Sequence, residues 1–304
     1  MKTVLLLLLA ISNLHAATII DLGPDMKERY TATGISENGK VVGYIGPQDS
    51  GRTFVWENGA FHEFSGLFDP SGINNSGQVS GVEYAGANYP AYYTPNVGVT
   101  VVTLNQGAAT AINNLGQLTG VYSVAGTGHA FFYDGTITRD LGAGFSGRAI
   151  NDIGQVAGRD SAGTNSFLYS GGVTTVFNGR ARGMNASGTV VGDFYTLMTL
   201  RGFIYQKNTF TPILDDYSIG SRANDINDLG DIVGWIFVNP PQQCRFCEYS
   251  KHAFLYRNGV VTDLNDETSN RDWELVEGVA VNNAGWIIGA GLHFGRDRAF
   301  LRIP

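Results

Sequence analysis

The sequence predicts an all-β fold, a seven-bladed β-propeller built from four-stranded antiparallel blades. Three observations carry that expectation. A glycine-punctuated motif recurs seven times along 304 residues. Each copy is followed by an aromatic strand, a tight turn and a β-branched strand. The strand missing after the last copy stands at the N-terminus instead. Composition agrees: 41 glycines, 9 prolines and 15 % charged residues suit short strands and tight turns, not a helical bundle or a disordered chain.

The motif reads small residue, Ile, Asn, two variable residues, Gly, a polar residue, two mostly apolar residues, Gly, as in Gly72-Ile73-Asn74-Asn75-Ser76-Gly77-Gln78-Val79-Ser80-Gly81. Its first glycine falls at 39, 77, 116, 154, 188, 230 and 285. Asn can bond back to its own backbone and Gly can take positive φ, so the element reads as the turn between the first two strands, a and b. Strand c follows, as in His129-Ala130-Phe131-Phe132-Tyr133 and His252-Ala253-Phe254-Leu255-Tyr256. Asp134-Gly135 or Asn258-Gly259 then turns the chain into strand d. About 40 residues in four strands is the unit of a propeller blade.

The seventh copy stops at its c strand, Arg298-Ala299-Phe300-Leu301-Arg302. Ala17-Thr18-Ile19-Ile20-Asp21-Leu22-Gly23 resembles the d strands after copies three and six, so it is expected to complete the last blade and close the ring. The seven copies then supply 28 strands in one domain over 17–304. Residues 1–16 read as a secretory signal peptide: Lys2, an apolar Val4–Ile11 too short to span a bilayer, and a small residue, Ala16, at the expected cleavage point. The implied location is secreted, periplasmic or extracellular, with no membrane insertion after cleavage and a monomeric state expected.

The Ile-Asn-x-x-Gly-x-Val-x-Gly element followed by His-Ala-Phe-Leu-Tyr resembles the HAF repeat of bacterial extracellular repeat proteins. The resemblance covers nearly all of 17–304 and is cleanest at 111–141 and 226–264. Elsewhere Arg298-Ala299-Phe300, Ser166-Phe167 and Pro90-Ala91-Tyr92 are read in place of His-Ala-Phe. The resemblance implies export and repeated β structure and brings no enzymatic activity, so no catalytic residue is carried over from it.

Blade topology puts the stereotyped a–b and c–d turns on one face and the variable b–c and d–a connections on the other. The second face is where binding is expected. Two connections there stand out: 235–251, with Trp235 and Tyr249, and 265–278, with Trp273, whose rings are expected to be exposed for sugar or protein contact. Cys244 and Cys247 read as a small disulfide in that first loop, with a metal pair or a redox site as alternatives. Three residues before each motif Asn or Ser stand Thr33, Ser71, Thr110, Arg148, Arg182, Asn224 and Val279, expected at the channel mouth. There Arg148 and Arg182 could clamp a carboxylate or phosphate, with Asp225 facing them.

No nucleophile elbow, zinc-protease helix or Walker loop is present, and no cofactor or metal is expected. Asp160 and Asp193 are a candidate acid pair for a glycosidase. With 20 basic against 27 acidic residues and no basic run, nucleic acid is not expected as a partner. The leading expectation is a secreted binding module for a glycan or protein ligand. A propeller enzyme acting on a polysaccharide or small anionic ester, and a structural envelope or matrix protein, remain open.

Overall fold

The computed structural model describes residues 17–25, 27–47, 52–197, 199–213, 220–238, 249–268 and 271–304. Twenty-eight strands form seven four-stranded sheets, and every strand pair is antiparallel in simple a-b-c-d order. The sheets cover 30–65, 68–101, 107–143, 145–178, 180–213 and 221–263 for blades 1 to 6, and 273–303 with 18–21 for blade 7. Thr18–Asp21 pairs with the last strand in the register Thr18↔Ile303 to Asp21↔Phe300, so the ring closes through the N-terminal strand as expected. Arg298 ties the seam again, contacting Asp21 and the carbonyls of Gly23 and Glu28.

The core is divided into seven wedges, one at each contact between neighbouring blades. The strand period of two explains why His-Ala-Phe recurs. Phe254 points toward blade 5 and meets Val191, while Ala253 points the other way, toward Leu275 and Phe300 of blade 7. A small residue lets the next blade approach; a large one fills the wedge behind. Phe54, Phe131, Phe167, Phe203, Phe254 and Phe300 are all fully buried in this role. His252 accepts or donates at Asp263 of strand d at 2.5 Å, and His129 meets Asp140 at 2.7 Å, so the repeat histidine clasps strands c and d.

Blade 2 corrects one alignment. Gly81 pairs with Ala91, as Gly234 pairs with Phe254, so Tyr89-Pro90-Ala91 occupies the His-Ala-Phe positions, one residue before the expected Pro90-Ala91-Tyr92. Leu67, fully buried, approaches Gly81 where a phenylalanine ring does so in the other blades.

The motif glycines have two different reasons. The first, such as Gly77 (φ +80°), sits in the left-handed region of the a–b turn. The second, such as Gly192, lies where an added methyl would overlap the carbonyl oxygen of Arg180 and the ring of Phe203. That crowding arises because strand a bulges there. The ladder skips Thr33, Thr110, Arg148, Arg182, Asn224 and Val279, and the irregular stretch of blade 2 contains Ser71. A bulge places two residues opposite one and re-aims the extra side chain, here toward the axis.

The motif Asn does more than hold its turn. Asn74 Oδ1 accepts from the N–H groups of Ser76 and Gln78, while its Nδ2 donates to the carbonyl of Asn113 in the next blade. The same inter-blade bond continues from Asn113 to Asn151, Asn185, Asn227, Asn282 and finally Ser36. A hydrogen-bonded belt thus runs round the a–b face and crosses the seam. Among the described residues no helix is long and apolar enough to cross a membrane.

Candidate functional site

The seven bulge residues line a central channel with a cavity of about 420 Å³ reaching the a–b face and a second of about 340 Å³ toward the b–c/d–a face. The second is lined by Arg148, Arg159, Arg182, Asn224 and Glu277 among others. Each is there for a topological reason. Arg148, Arg182 and Asn224 are bulge residues, Arg159 follows the second motif glycine of blade 4, and Glu277 lies in the doubly bulged strand a of blade 7 (Trp273–Val281).

Five guanidinium groups meet at this end. Arg180 Nε donates to Asp193 Oδ2 at 2.5 Å, Arg182 Nε donates to Asp193 Oδ1, and Arg222 Nε lies 3.3 Å from the same oxygen. Asp193 itself is fully buried. Arg148 and Arg159 have no acceptor among the described residues, and the Nε of Arg148 is buried without a partner. Burial, reinforced by Arg159 and Arg182, lowers Arg148 to about 10, so it still carries its charge at neutral pH. Arg159 and Arg222 are lowered by the same two causes, burial first and neighbouring arginines second. Glu277 lines the same cavity and its charge acts on Arg222, but its direct partners are Lys251 and Asn224.

The sequence candidates fare differently. Arg148 and Arg182 share the cavity, with Arg182 held on Asp193 and Arg148 unengaged. Asp225 does not face them. Its Oδ2 accepts from Val281 N–H at 3.0 Å across the blade 6–7 contact, and it belongs to the cavity of the a–b side. Burial raises it to about 7, with Glu37 adding a smaller push and the Val281 and Ile226 N–H groups opposing. Trp235 and Trp273 are strand residues, not exposed loop residues; they are 7 % and 6 % exposed. Arg222 and Lys251 lie over the Trp235 ring, and Trp273 stacks on His293 at 4.4 Å. Trp235 lies within strand b of blade 6 and Trp273 opens strand a of blade 7, where burial of so large an apolar surface outweighs exposure.

Tyr249 is 53 % exposed. Exposed aromatics that the sequence reading passed over join it on b–c connections: Tyr84, Tyr195 and Phe294. Tyr195 carries Arg180 over its face at 4.6 Å, linking this rim to the arginine group. Cys244 and Cys247 lie outside the described residues. Asp160 and Asp193 do not act as a free acid pair. Asp160 is spent on Thr164 and Asn165 of its own turn, and Asp193 on the arginines. Among the described residues no three His, Cys, Asp or Glu side chains converge to hold a metal ion.

Arg159, Arg180 and Arg222 were missed because no two of these charges form a run, and Asp193 was read as a candidate catalytic acid when it is the anchor of the arginines. The repeat register contains a signal for them. Five residues before the motif Asn or Ser, Arg180 and Arg222 stand where other copies have Thr31, Asp69, Ala108, Ser146 and Glu277. The sequence has no basic run, yet folding assembles a cluster of positive charge from blades 4, 5 and 6.

Fold and site define a closed seven-bladed propeller with a cationic channel mouth. The propeller domain of the Trilobed protease from Pyrococcus furiosus is similar, with TM-score 0.64 and 10 % identity over 90 % of this chain and 93 % of that one. The acylaminoacyl peptidase of Pyrococcus horikoshii gives 0.58 and 12 % over 90 % of this chain but 52 % of that one, so this chain spans about half its length. YCF48 bound to D1 peptide gives 0.57 and 10 % over 95 % and 97 %. At such identities the likeness is one of fold. No family model and no curated protein matches the sequence.

Proposed function

We propose that this chain is an exported propeller-type binding module of the HAF-repeat kind, engaging an acidic group on a glycan or protein ligand at the arginine-lined channel mouth. One observation carries the reading: five guanidinium groups cluster at the b–c/d–a end of the channel around one buried carboxylate that reaches three of them, and Arg148 and Arg159 have neither a hydrogen-bond nor an ion-pair partner among the described residues. Unpaired cations in a half-buried cavity are costly to keep, and a ligand anion relieves that cost. The exposed rings of Tyr84, Tyr195, Tyr249 and Phe294 around that face offer flat contacts to the rest of the ligand. Asp193 belongs to the scaffold of this site, because it holds Arg180 and Arg182 in place.

The test is retention of the purified chain on an array of acidic and neutral glycans and acidic peptides, repeated with Arg148→Ala/Arg159→Ala. Saturable binding to acidic members, lost in the double variant while circular dichroism is unchanged, supports the reading. Binding indifferent to ligand charge, or to the double substitution, removes it.

A further inference from the structure

The arginine mouth is short of more than one negative charge, and that shortage says what kind of anion it takes. Arg148, Arg159, Arg180, Arg182, Arg222 and Lys251 bring six positive charges to a mouth that holds two carboxylates, Asp193 among the arginines and Glu277 paired with Lys251. Asp193 shows what a single carboxylate achieves here. It accepts from Arg180 and Arg182, lies within ion-pair distance of Arg222, and leaves Arg148 and Arg159 without a hydrogen-bond or ion-pair partner among the described residues. A ligand carboxylate would neutralise one of these two.

Direction matters as well as charge. A carboxylate accepts mainly in its own plane, whereas the oxygens of a phosphate point to the corners of a tetrahedron. The available guanidinium groups come from strand a and strand b of blade 4, and Arg182 joins them from strand a of blade 5, so donors arrive along an arc round the axis. The hydroxyls of Ser71 and Thr110, in the same cavity wall, already donate to the carbonyls of Ala109 and Gly147. Recognition there falls to the arginines. The cavity, about 340 Å³, has room for a phosphoryl group and the first part of whatever carries it, with the remainder leaving past the b–c loops.

We infer that the mouth takes a dianionic phosphate monoester, held by Arg148 and Arg159 with Arg182 beside them. This rests on the reading of the mouth as the ligand site and names its ligand chemistry. The phosphoryl group could belong to a phosphorylated sugar or to a phosphorylated side chain of a polypeptide, and the mouth reads the feature that both share.

The experiment is isothermal titration of the purified chain at constant ionic strength with inorganic phosphate, sulfate, acetate and succinate as probes. At pH 7.5, phosphate and sulfate should bind saturably at one site, at least about tenfold more tightly than acetate. Lowering the pH to about 5.5 should weaken phosphate, which becomes a monoanion, and leave sulfate unchanged. Arg148→Gln/Arg159→Gln should weaken phosphate at least about tenfold, and Arg159→Lys, which keeps the charge, by less. Acetate equal to phosphate, or succinate preferred to it, overturns the inference, as does unchanged phosphate binding in the double variant. Glucose 6-phosphate and a phosphoserine peptide then separate the two sources, the tighter binder naming the source; if neither binds where phosphate does, the site takes an adventitious ion only and the inference fails. Acidic ligands retained on the array through Arg148 and Arg159 but not displaced by phosphate would end this inference and leave the binding module standing.

Discussion

Replacing Asp225 by Asn should remove a pH dependence that the channel wall imposes on the fold. Asp225 takes the place of a Gly or Ala in the other copies, and burial among blades 6 and 7 raises it from 3.8 to about 7. A carboxyl raised in the folded state binds its proton more tightly there than in the unfolded chain. Its contribution to stability is therefore complete below about pH 4 and is lost as pH rises toward 7. About three pH units at ~1.36 kcal/mol each gives an upper value of ~4 kcal/mol lost between those limits. Asn cannot ionise, and its amide oxygen can still accept from Val281 N–H, the bond that Asp225 makes at 3.0 Å. Urea midpoints measured at intervals from pH 4.5 to 8 should fall with pH in the wild type and fall less in the variant, which becomes the more stable protein at pH 8. Parallel curves would refute the reasoning, because they would mean that Asp225 ionises with its charge already solvated in the channel.

Gly192→Ala should destabilise the chain by about 1–3 kcal/mol, since its methyl meets the Arg180 carbonyl and the Phe203 ring. Gly59→Ala, at positive φ but with open space around it, should cost only about 1 kcal/mol, and thermal melts of the two variants check the difference. The His252–Asp263 clasp has a window of its own. The bond from Asp263 raises His252, a contribution lost as pH climbs through the raised value. Asp263 is pushed up by burial but held below 3.8 on balance by His252 and Asn265, a contribution lost as pH falls. The cost of His252→Ala should therefore be largest between about pH 4 and 6.5 and shrink on either side, which denaturation of both proteins across pH 3–9 measures.

Much of the fold was legible because its determinants are local and repeated. The first motif glycine needs positive φ in whichever copy it occurs, and the alternation of His, Ala and Phe follows from the period of a strand. Even ring closure was readable, since Thr18-Ile19-Ile20-Asp21-Leu22 supplies the d strand that the last copy lacks. The blade 2 alignment was not readable. Whether Ala91 or Tyr92 faces Gly81 depends on the ladder, and Leu67 fills the space from outside the motif. Nor was the second role of the motif Asn, because its bond to the next blade joins residues 34 to 55 apart, and from Asn282 to Ser36 246 apart.

The candidate site divides along the same line. Arg148 and Arg182 were found because both occupy one repeat position, and a bulge turns that position toward the axis in either blade. Trp235 and Trp273 were placed in loops because aromatic residues beside prolines and charges look alike whether they cap a surface or fill a wedge; only the packing of neighbouring blades buried them. The sequence by itself determined the blade, its number and its closure, since each follows from backbone conformations that short segments specify. The tertiary structure alone decided where charge collects: Arg159, Arg180, Arg222 and Asp193 become neighbours only when three blades stand round one axis, and the balance of burial and repulsion among them exists nowhere along the unfolded chain.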